Sequence, residues 1–441
     1  LWLFDLSQAQ CLAFIKHQFK KEPILLEANQ KALLAGYNYA LTLELSRSSF
    51  MLGQIDRTPG TYRQITGVNA VSLAAAAVAV STDVPMLVAG YPITPASGIL
   101  HECAKLQEYG VALLQAEDEI AAICACIGAA FGGRLAMTCT SGPGFDLKSE
   151  ALGLAVATEL PLVLVDVQRA GVSTGLPTKT GQGDLNLALY GRHGDAPVPV
   201  IAACSPADCF NTIIEAFTMA VQYMTPVIVL LDAYLANAAQ PWQLPDIEAL
   251  NIPVPQFNRF EKPYTRDENL VRSWNVPGTE GLIHQLGGLE KQGDSGKVSY
   301  DADNHQRMNQ IRAEKIAGIA RHYPVMNVEC DENADILIIG WGSTLGALKT
   351  AVSECRKEGI ALALLHLRHL NPLPETLETI LKRYQKILVA ELNSGHLCQL
   401  LRSRYLVDAQ LLSQCNGQPF STDYLVKAIQ QFTDRDVCYD S

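Results

Sequence analysis

The stretch of residues 160–180 reads LPLVLVDVQRAGVSTGLPTKT and combines an apolar run with a polar loop. Its first half is a continuous apolar run, typical of a strand that is buried on both faces of a parallel sheet. Its second half is a loop rich in Gly and Thr, with Arg169 at its root. Open α/β sheets bind their ligands at the carboxyl ends of the strands, so the stretch predicts both a buried strand and a candidate site beyond it.

Five further apolar runs lie between residues 67 and 240 and alternate with Ala- and Leu-rich helical segments. This rhythm predicts a parallel sheet that is covered on both faces. A second, shorter set of runs follows residue 334 and predicts a smaller doubly wound α/β domain. The two sets are PMLVAGYP (85–92), VALLQAE (111–117), RLAMTCTS (134–141), PVPVIAA (197–203) and TPVIVLLD (225–232), then ADILIIG (334–340), IALALLHL (360–367) and KILVAEL (386–392).

The remaining segments divide the chain. Residues 12–45 have helical periodicity without strands and resemble the end of a domain whose beginning is missing. Stretches rich in Pro, Gly and charged residues predict a linker and a long connector. The predicted divisions are residues 1–50, a linker at 51–66, the first α/β domain at 67–240, a connector at 241–333 and the second α/β domain at 334–441.

Composition excludes several classes of protein. The 441 residues are 48% hydrophobic and 18% charged, which does not fit a disordered or coiled-coil chain. Thirty-four basic and 45 acidic residues give a net charge of −11, which disfavours binding to nucleic acid or anionic lipid. The 12 cysteines include no C-x-x-C pair, and several lie in apolar runs, as expected of thiols in a reducing cytoplasm. Neither a signal peptide nor a membrane-spanning segment is evident.

Four short motifs follow predicted strands. In Tyr91–Ser97, Pro95 suits the first position of a helix and Thr94 its N-cap. In Glu117–Glu119, acidic residues stand between almost wholly apolar flanks, where a carboxylate needs a partner or a proton. Thr140–Gly144 is a tight turn, and Arg169–Thr180 offers hydroxyls and a guanidinium for a carboxylate. Each motif alone is also compatible with an ordinary turn, helix start or surface loop.

A fifth motif, Gly340–Gly346, starts the second α/β unit but has one residue too many for the dinucleotide fingerprint. The next strand ends in His366 and Arg368, where an acidic residue would bind a ribose, so a nicotinamide site is not expected. His366 and His369 are interpreted as packing at a strand end and not as a metal pair.

Together the four motifs resemble, in sequence and order, the alpha subunit of 2-oxoacid:ferredoxin oxidoreductases. The segment DVQRAGVSTGLPTKTGQGDLNLALYGRHGD (166–195) is similar to the most recognisable part of that family. Residues 278–308 and 366–377 look like the 2-oxoglutarate version, and the resemblance runs from about residue 12 to 440. It implies a thiamine-diphosphate-binding fold of the pyrimidine type, followed by a smaller transketolase C-terminal-like domain.

The resemblance also implies an activity and its partners. The reaction is oxidative decarboxylation of a 2-oxoacid with coenzyme A and ferredoxin, giving acyl-CoA, carbon dioxide and reduced ferredoxin. Thiamine diphosphate supplies the carbanion chemistry. A separate beta subunit holds the diphosphate, Mg²⁺ and an iron–sulfur cluster, in an assembly of two alpha and two beta chains. This division explains why the present chain lacks C-x-x-C pairs.

Residue roles follow from the same resemblance. Glu119, rather than Glu117, binds the pyrimidine ring nitrogen. By the same resemblance, Thr94 and Arg169 are expected to bind the carboxylate of the substrate, and Thr178 is expected to select its distal end. The cofactor pocket is lined by Tyr91, Pro92, Ser141 and Gly142.

Two departures from the family pattern are visible. The loop after Arg169 has Ala170-Gly171-Val172 where the family has Gly-Gly-Pro, which can alter the choice of oxoacid. Two-subunit members often carry a gamma domain ahead of the alpha region, and residues 1–50 resemble its last helices. Two other readings are a thiamine-dependent 2-oxoacid decarboxylase that does not use ferredoxin, and a non-catalytic scaffold.

Overall fold

The computed structural model describes residues 1–43, 57–250, 252–331 and 333–434. It divides into two compact units, Leu1–Thr61 and Tyr62–Ser441. Parts of three predicted segments lie outside the described residues: the end of 1–50, the start of the linker 51–66, and residues 435–441 of the last domain.

In its described part, the first unit contains a 3-10 turn (Trp2–Phe4) and the α-helices α1 (Gln8–Gln18) and α2 (Pro23–Thr42). The Ser7 side chain caps α1 by accepting a hydrogen bond from the Ala9 N–H, and Pro23 occupies the first turn of α2, where its missing N–H costs nothing. Neither helix buries a residue completely. The assignment of this segment to a gamma domain stays a prediction.

The second unit contains all the described strands and the remaining helices. The strands are β1 (Tyr62–Thr66), β2 (Met86–Gly90), β3 (Val111–Gln115), β4 (Leu135–Thr140), β5 (Leu162–Gln168), β6 (Val200–Ala202), β7 (Pro226–Asp232), β8 (Ala239–Gln243), β9 (Val328–Cys330), β10 (Ile336–Trp341), β11 (Leu362–Leu367), β12 (His369–Asn371), β13 (Lys386–Glu391) and β14 (Ala409–Ser413). The helices are α3 (Gly67–Thr82), α4 (Ser97–Cys103), α5 (Glu119–Phe131), α6 (Gly142–Thr158), α7 (Leu185–Tyr190), α8 (Asp208–Tyr223), α9 (Ala233–Asn237), α10 (Ala302–Gly318), α11 (Leu345–Lys357), α12 (Leu377–Leu381), α13 (His396–Tyr405) and α14 (Thr422–Asp434).

A seven-stranded sheet with the order β12-β6-β7-β5-β4-β2-β3 forms the first α/β layer. β2 to β7 run parallel, and all six apolar runs predicted for this region are strands. Along β5, Val163, Val165 and Val167 face one hydrophobic core while Leu162 and Leu164 face the other. Burial on both faces explains why this strand is continuously apolar.

The second sheet has the order β14-β13-β10-β11-β9, with β9 antiparallel at its edge. Its inner face shares a core with the first sheet, and its outer face packs against α11 and α14. β12 comes from the same region of the chain but pairs antiparallel with β6 of the first sheet. The two α/β layers are therefore joined through both a core and a strand.

The predicted linker and connector contain regular structure. β1 lies within residues 51–66 and pairs antiparallel with β8, which starts just before residue 241. The connector region also contains α10 and β9. The division into linker, domains and connector stays a prediction, but these segments contribute strands and a helix of their own.

A buried ion cluster fixes the connector to the first layer. Glu159, which ends α6, receives two hydrogen bonds of 2.8 Å from Arg266 and one of 2.7 Å from Lys315. Arg272 donates to the backbone oxygens of Thr158 and Glu159. Cations at the carboxyl end of a helix are favourable because they neutralise its unpaired carbonyls and its dipole.

Gln182 joins the two sheets at their carboxyl ends. Its side-chain amide donates to the Trp341 oxygen at 2.9 Å and accepts from the Leu392 N–H at 2.9 Å. Asn393 donates to the Gln182 backbone oxygen at 2.8 Å. The loop that follows β5 is thus held between the two sheets. In the described part of the chain, every helix is too short or too polar to cross a membrane.

Candidate active site

The site lies where the sheet order reverses. After β2 the chain moves outward to β3, then returns across β2 to β4 and continues in the other direction to β5. The carboxyl ends of the neighbouring strands β2 and β4 therefore border a crevice, the usual ligand-binding position of open α/β sheets. Tyr91 follows β2 and Ser141 follows β4, so two predicted motifs meet here.

Tyr91, Glu119 and Thr140 meet around Gly144. The Tyr91 hydroxyl lies 3.2 Å from Thr140 Oγ1. A Cβ added to Gly144 would clash with both of these oxygens and would lie 2.9 Å from Cγ of Glu119. Only a glycine allows α6 to approach this closely. Burial, and then the neighbouring Glu119 carboxylate, raise the pKa of Tyr91 above its ordinary value.

Glu119 is placed by the start of α5. Asp118 is the N-cap, and its Oδ1 accepts a 2.7 Å hydrogen bond from the Ala121 N–H, so Glu119 is the first helical residue. The Glu119 side chain is half-buried, whereas Glu117 is exposed. The two residues that the sequence offered as candidates thus differ in position, and Glu119 is the one beside Tyr91 and Gly144.

The predicted helix start at Thr94 and Pro95 is wrong. α4 begins at Ser97 with Ala96 as its N-cap, and Thr94 and Pro95 lie in the preceding turn. Ser97 closes that turn, since its hydroxyl accepts from the Ile93 N–H at 2.7 Å and donates to the Ile93 oxygen at 2.9 Å. Thr94 therefore keeps its side chain exposed instead of capping a helix, and Pro92 is exposed in the same turn.

Arg169 and Thr94 are brought together across 75 residues of sequence. The Arg169 guanidinium donates from Nη1 to the Thr94 backbone oxygen at 2.8 Å. Arg169 is only 9% exposed, and its Nε is buried without a hydrogen-bond partner. A buried guanidinium with an unused donor is suited to bind a carboxylate.

Two cavities adjoin the loop after Arg169. A cavity of about 480 Å³ is lined by Arg169, Gly142 and Asp184. A larger one of about 1010 Å³ is lined by Thr94, Thr178 and Lys179. Thr180 and Gly417 line both, so the predicted substrate residues surround one region at the edge of the sheet.

Ser141 and Gly142 begin α6 beside the smaller cavity. Ser141 is fully buried, and its hydroxyl has no hydrogen-bond partner among the described residues. A Cβ at Gly142 would lie 3.0 Å from both carboxylate oxygens of Asp184. The close approach of Asp184 explains the glycine, and the unpaired Ser141 hydroxyl remains available to a ligand.

Two buried groups of the site were not predicted from the sequence. Lys148 is fully buried, donates to Thr138 Oγ1 at 2.7 Å and lies 5.6 Å from the centroid of the Tyr91 ring. Burial lowers the pKa of Lys148. Lys148 follows Gly144 by four residues, which places both on the same face of the helix. This spacing is the sequence feature from which its position near the site could have been predicted.

The second such group is a pair of carboxyls, Asp166 on β5 and Asp184 ahead of α7. Burial, and then the neighbouring Asp184, raise the pKa of Asp166 well above its ordinary value, and burial also raises that of Asp184. The presence of an acidic residue inside the apolar run LPLVLVDVQ was the sequence feature that could have indicated a buried carboxyl at Asp166. The partner at 184 could not be read from the sequence.

The fifth motif forms a short 3-10 turn, Gly342–Thr344, against Gln182. His369 contacts Glu215 and stacks on the Tyr323 ring at a centroid distance of 3.8 Å. The contact with Glu215 is a hydrogen bond of 2.5 Å to a residue of α8, and the contact with Tyr323 is ring stacking, so His369 is held by its neighbours at the start of β12.

Comparisons with known proteins give the family. Residues 75–308 match the family "Pyruvate flavodoxin/ferredoxin oxidoreductase, thiamine diP-bdg", and residues 334–423 match "Pyruvate:ferredoxin oxidoreductase core domain II". The predicted fold, a thiamine-diphosphate-binding α/β domain followed by a smaller α/β domain, is confirmed.

Two relatives match most of the chain. The Mycobacterium tuberculosis 2-oxoglutarate oxidoreductase subunit KorA is 46% identical over 97% of this chain, and the chain spans 66% of that protein. The Archaeoglobus fulgidus 2-oxoglutarate synthase subunit KorA is 36% identical over 70% of this chain and 82% of its own length.

A solved structure has the same fold. The 2-oxoglutarate:ferredoxin oxidoreductase from Magnetococcus marinus, with 2-oxoglutarate, coenzyme A and succinyl-CoA bound, aligns with a TM-score of 0.89 and 32% identity. The alignment covers 98% of this chain and 75% of that one. The family matches, the KorA relatives and this structure together show that the chain belongs to the family of 2-oxoacid:ferredoxin oxidoreductase alpha subunits.

Proposed function

We propose that the chain is the alpha subunit of a thiamine-diphosphate-dependent 2-oxoglutarate:ferredoxin oxidoreductase. Its reaction is the coenzyme A-dependent oxidative decarboxylation of 2-oxoglutarate to acyl-CoA and carbon dioxide, with reduction of ferredoxin. The observation that carries the proposal is the meeting of Tyr91, Glu119, Thr140 and Gly144 at the switch point of a sheet that belongs to a thiamine-diphosphate-binding family.

The residues at this point fit an aminopyrimidine ring. The half-buried Glu119 carboxylate can hydrogen-bond a ring nitrogen, and the unpaired Ser141 hydroxyl can meet a second polar atom. The Gly144 backbone leaves room that a side chain would fill. Thiamine diphosphate held by these residues would supply a nucleophilic carbanion and an electron sink for decarboxylation of the oxoacid.

Glu119 is assigned the catalytic role of holding the proton at that ring nitrogen, which favours the imino form of the ring. Tyr91, which interacts with the Glu119 side chain, is assigned to position this carboxylate, and it is itself fixed by its contact with Thr140 and by Lys148 5.6 Å from its ring centroid. Tyr91, Pro92, Ser141 and Gly142 line the cofactor pocket in this proposal. The half-exposed position of Glu119 agrees with a site that a second subunit completes.

Arg169 and Thr94 are assigned to the 1-carboxylate of the substrate. Arg169 already donates to Thr94, which fixes the guanidinium, and its unpaired Nε offers a further donor. Thr178 lies in the same cavity as Thr94, where its hydroxyl can reach the distal part of the substrate.

A beta subunit is assigned the diphosphate site, Mg²⁺ and the iron–sulfur cluster, in an assembly of two alpha and two beta chains. The absence of C-x-x-C pairs among the 12 cysteines supports this division. We place the enzyme in the cytoplasm, since every cysteine that the structure describes is a free thiol.

The test is reconstitution of the chain with its beta subunit, followed by assay of dye reduction that depends on both the oxoacid and coenzyme A. Glu119→Gln is expected to lower kcat by about 10²- to 10⁴-fold, the usual contribution of a positioned acid–base group. Glu117→Gln, two residues away and exposed, is the matched control and is expected to stay near wild type.

The outcomes of this test distinguish the proposed function from the two alternative hypotheses. Equal activity of the Glu119→Gln and wild-type complexes would remove Glu119 from the chemistry. Release of carbon dioxide without coenzyme A-dependent dye reduction would favour a decarboxylase that does not use ferredoxin. A stable chain that binds neither cofactor nor beta subunit would favour a scaffold.

A further inference from the structure

The larger cavity beside Arg169 contains a lysine that the proposed reaction does not yet use. Of the residues that line it, Lys179 and Glu102 carry full charges, and His101 is also present. Glu102 accepts a 2.7 Å hydrogen bond from Lys105, so its charge is compensated locally. In the described part of the chain Lys179 makes no ion pair, which leaves its ammonium group available within the cavity.

The backbone of Lys179 lies directly beside the substrate arginine. The Ala170 N–H, next in sequence to Arg169, donates to the Lys179 oxygen at 3.0 Å, and the Lys179 N–H donates to the Leu176 oxygen at 2.9 Å. The loop from Arg169 to Lys179 is therefore closed at its base. Closure brings two basic residues, ten positions apart in sequence, to the same end of β5.

A turn of the second α/β layer holds Lys179 from the other side. Gly417 has φ +77°, and a Cβ added there would lie 3.0 Å from the Cβ of Lys179. Gln414 stabilises this turn by donating to the oxygens of Gln418 and Pro419. The base of the Lys179 side chain is thus fixed by packing, while the residue as a whole is exposed and lines the larger cavity.

The two basic residues suit the two ends of a dicarboxylate. Arg169 is buried and bonded to Thr94, as expected for the group that holds the carboxylate next to the reacting carbonyl. A distal carboxylate requires a second donor farther out, and hydrogen bonds to charged groups are stronger than those from a neutral hydroxyl such as Thr178. We propose that Lys179 binds the distal carboxylate of the substrate and so selects dicarboxylic over monocarboxylic 2-oxoacids. This inference rests on the proposed function.

The test compares two substrates in the complex of the chain with its beta subunit. Lys179→Met keeps the length of the side chain but removes its charge. It is expected to lower kcat/KM for 2-oxoglutarate by about 10- to 100-fold, mainly through KM, the range typical of a charged hydrogen bond. For 2-oxobutyrate, which lacks the distal carboxylate, kcat/KM is expected to stay within about twofold.

Two further variants sharpen the comparison. Lys179→Arg is expected to recover most of the activity on 2-oxoglutarate, because it restores a cation at the same place. Lys382→Met removes an exposed lysine that pairs with Glu378 outside the cavity, and both substrates should behave as in wild type.

The outcomes are distinguishable. A Lys179→Met complex that loses activity equally on both substrates, or that keeps its activity on 2-oxoglutarate, overturns the inference while the proposed function stands. A wild-type complex that turns over no 2-oxoacid overturns the proposed function and the inference with it.

Discussion

At the residue level, the candidate site depends on glycines whose missing side chains let neighbouring groups approach closely. Gly144 is the tightest of these positions, because Tyr91, Thr140 and Glu119 all approach where a side chain would stand. Glu119 is half-buried, so its neighbours can orient its carboxylate only if these close contacts around Gly144 are maintained. The spacing of the turn Thr140–Gly144 matters therefore as much as the identity of the carboxylate.

Gly144→Ala is expected to reduce kcat at least about tenfold, since displacement of catalytic groups by an ångström is costly. The added methyl group must push aside the Tyr91 hydroxyl or Thr140. Steady-state assay of the complex, together with thermal unfolding of the chain, measures the effect. Gly346→Ala on α11, where a Cβ meets open space, is the matched control. A Gly144→Ala enzyme with wild-type kcat would contradict this description of the site.

The carboxyl pair Asp166 and Asp184 predicts a dependence of stability on pH. Burial raises the pKa of Asp184 to about 6, and that of Asp166 lies well above its ordinary value. An unfolded aspartate titrates near pH 4, so between that pH and the raised values the folded chain holds more protons than the unfolded chain. Stability from this pair is complete below about pH 4 and is lost as the pH rises through 6.

Asp166→Asn removes the buried acid and is expected to flatten this decline by about 1–3 kcal/mol between pH 5 and pH 8. Urea unfolding of the chain at several pH values measures it. Asp294→Asn, which changes an exposed aspartate, should keep the wild-type slope. Parallel pH curves for Asp166→Asn and wild type would show that the raised pKa values of this pair do not set the pH dependence of stability.

Among the secondary-structure elements, α6 links the site to the rest of the molecule. Ser141 is its N-cap, Gly142 is its first residue, Lys148 lies in its middle, and Glu159 follows its last residue. Burial alone would raise the pKa of Glu159, but Lys315 and Arg266 hold it well below the usual range. Buried ion pairs thereby connect the carboxyl end of α6 to the connector and to α10.

Glu159→Gln is expected to destabilise the chain by about 3–5 kcal/mol, because it leaves Arg266, Arg272 and Lys315 buried without an anion. Chemical denaturation at neutral pH measures the loss. Since the folded pKa of Glu159 is depressed, its contribution is present above about pH 4.5 and fades as the pH falls. Glu378→Gln breaks an exposed pair with Lys382 and should cost at most about 1 kcal/mol. Equal losses in the two variants would contradict a structural role for the cluster.

At the scale of the whole molecule, the sequence predicts the central strands well and the junctions poorly. β2 and β4 to β7 are continuous apolar runs because nearly all of their residues are buried, and this pattern can be recognised from the local sequence. β3, at the edge of the sheet, is apolar in sequence, but its last two residues are exposed. β12 has three residues and exists because β6 is there to pair with it. Such a strand depends on a partner about 170 residues away, which no local pattern records.

The candidate site was likewise predicted only in part, because some of its contacts join residues that are distant in sequence. The four motifs lie at strand ends, and the parallel order of the sheet brings them together as expected. The helix start at Thr94 failed because Ser97 closes the turn through its own side chain, a competing local hydrogen bond. Asp184 beside Asp166, and Glu159 among Arg266 and Lys315, are contacts across long separations and became visible only in three dimensions.

In the proposed enzyme, this chain provides the pyrimidine side of a thiamine diphosphate site that a beta subunit completes. The most direct measurement is thiamine diphosphate binding, by calorimetry with Mg²⁺ present, to the chain alone, to the beta subunit alone and to their complex. We expect one cofactor per alpha–beta pair in the complex, weak or undetectable binding to either subunit alone, and weaker binding to the complex that carries Glu119→Gln. Tight binding to this chain alone, or a complex that binds no cofactor, would contradict the claim.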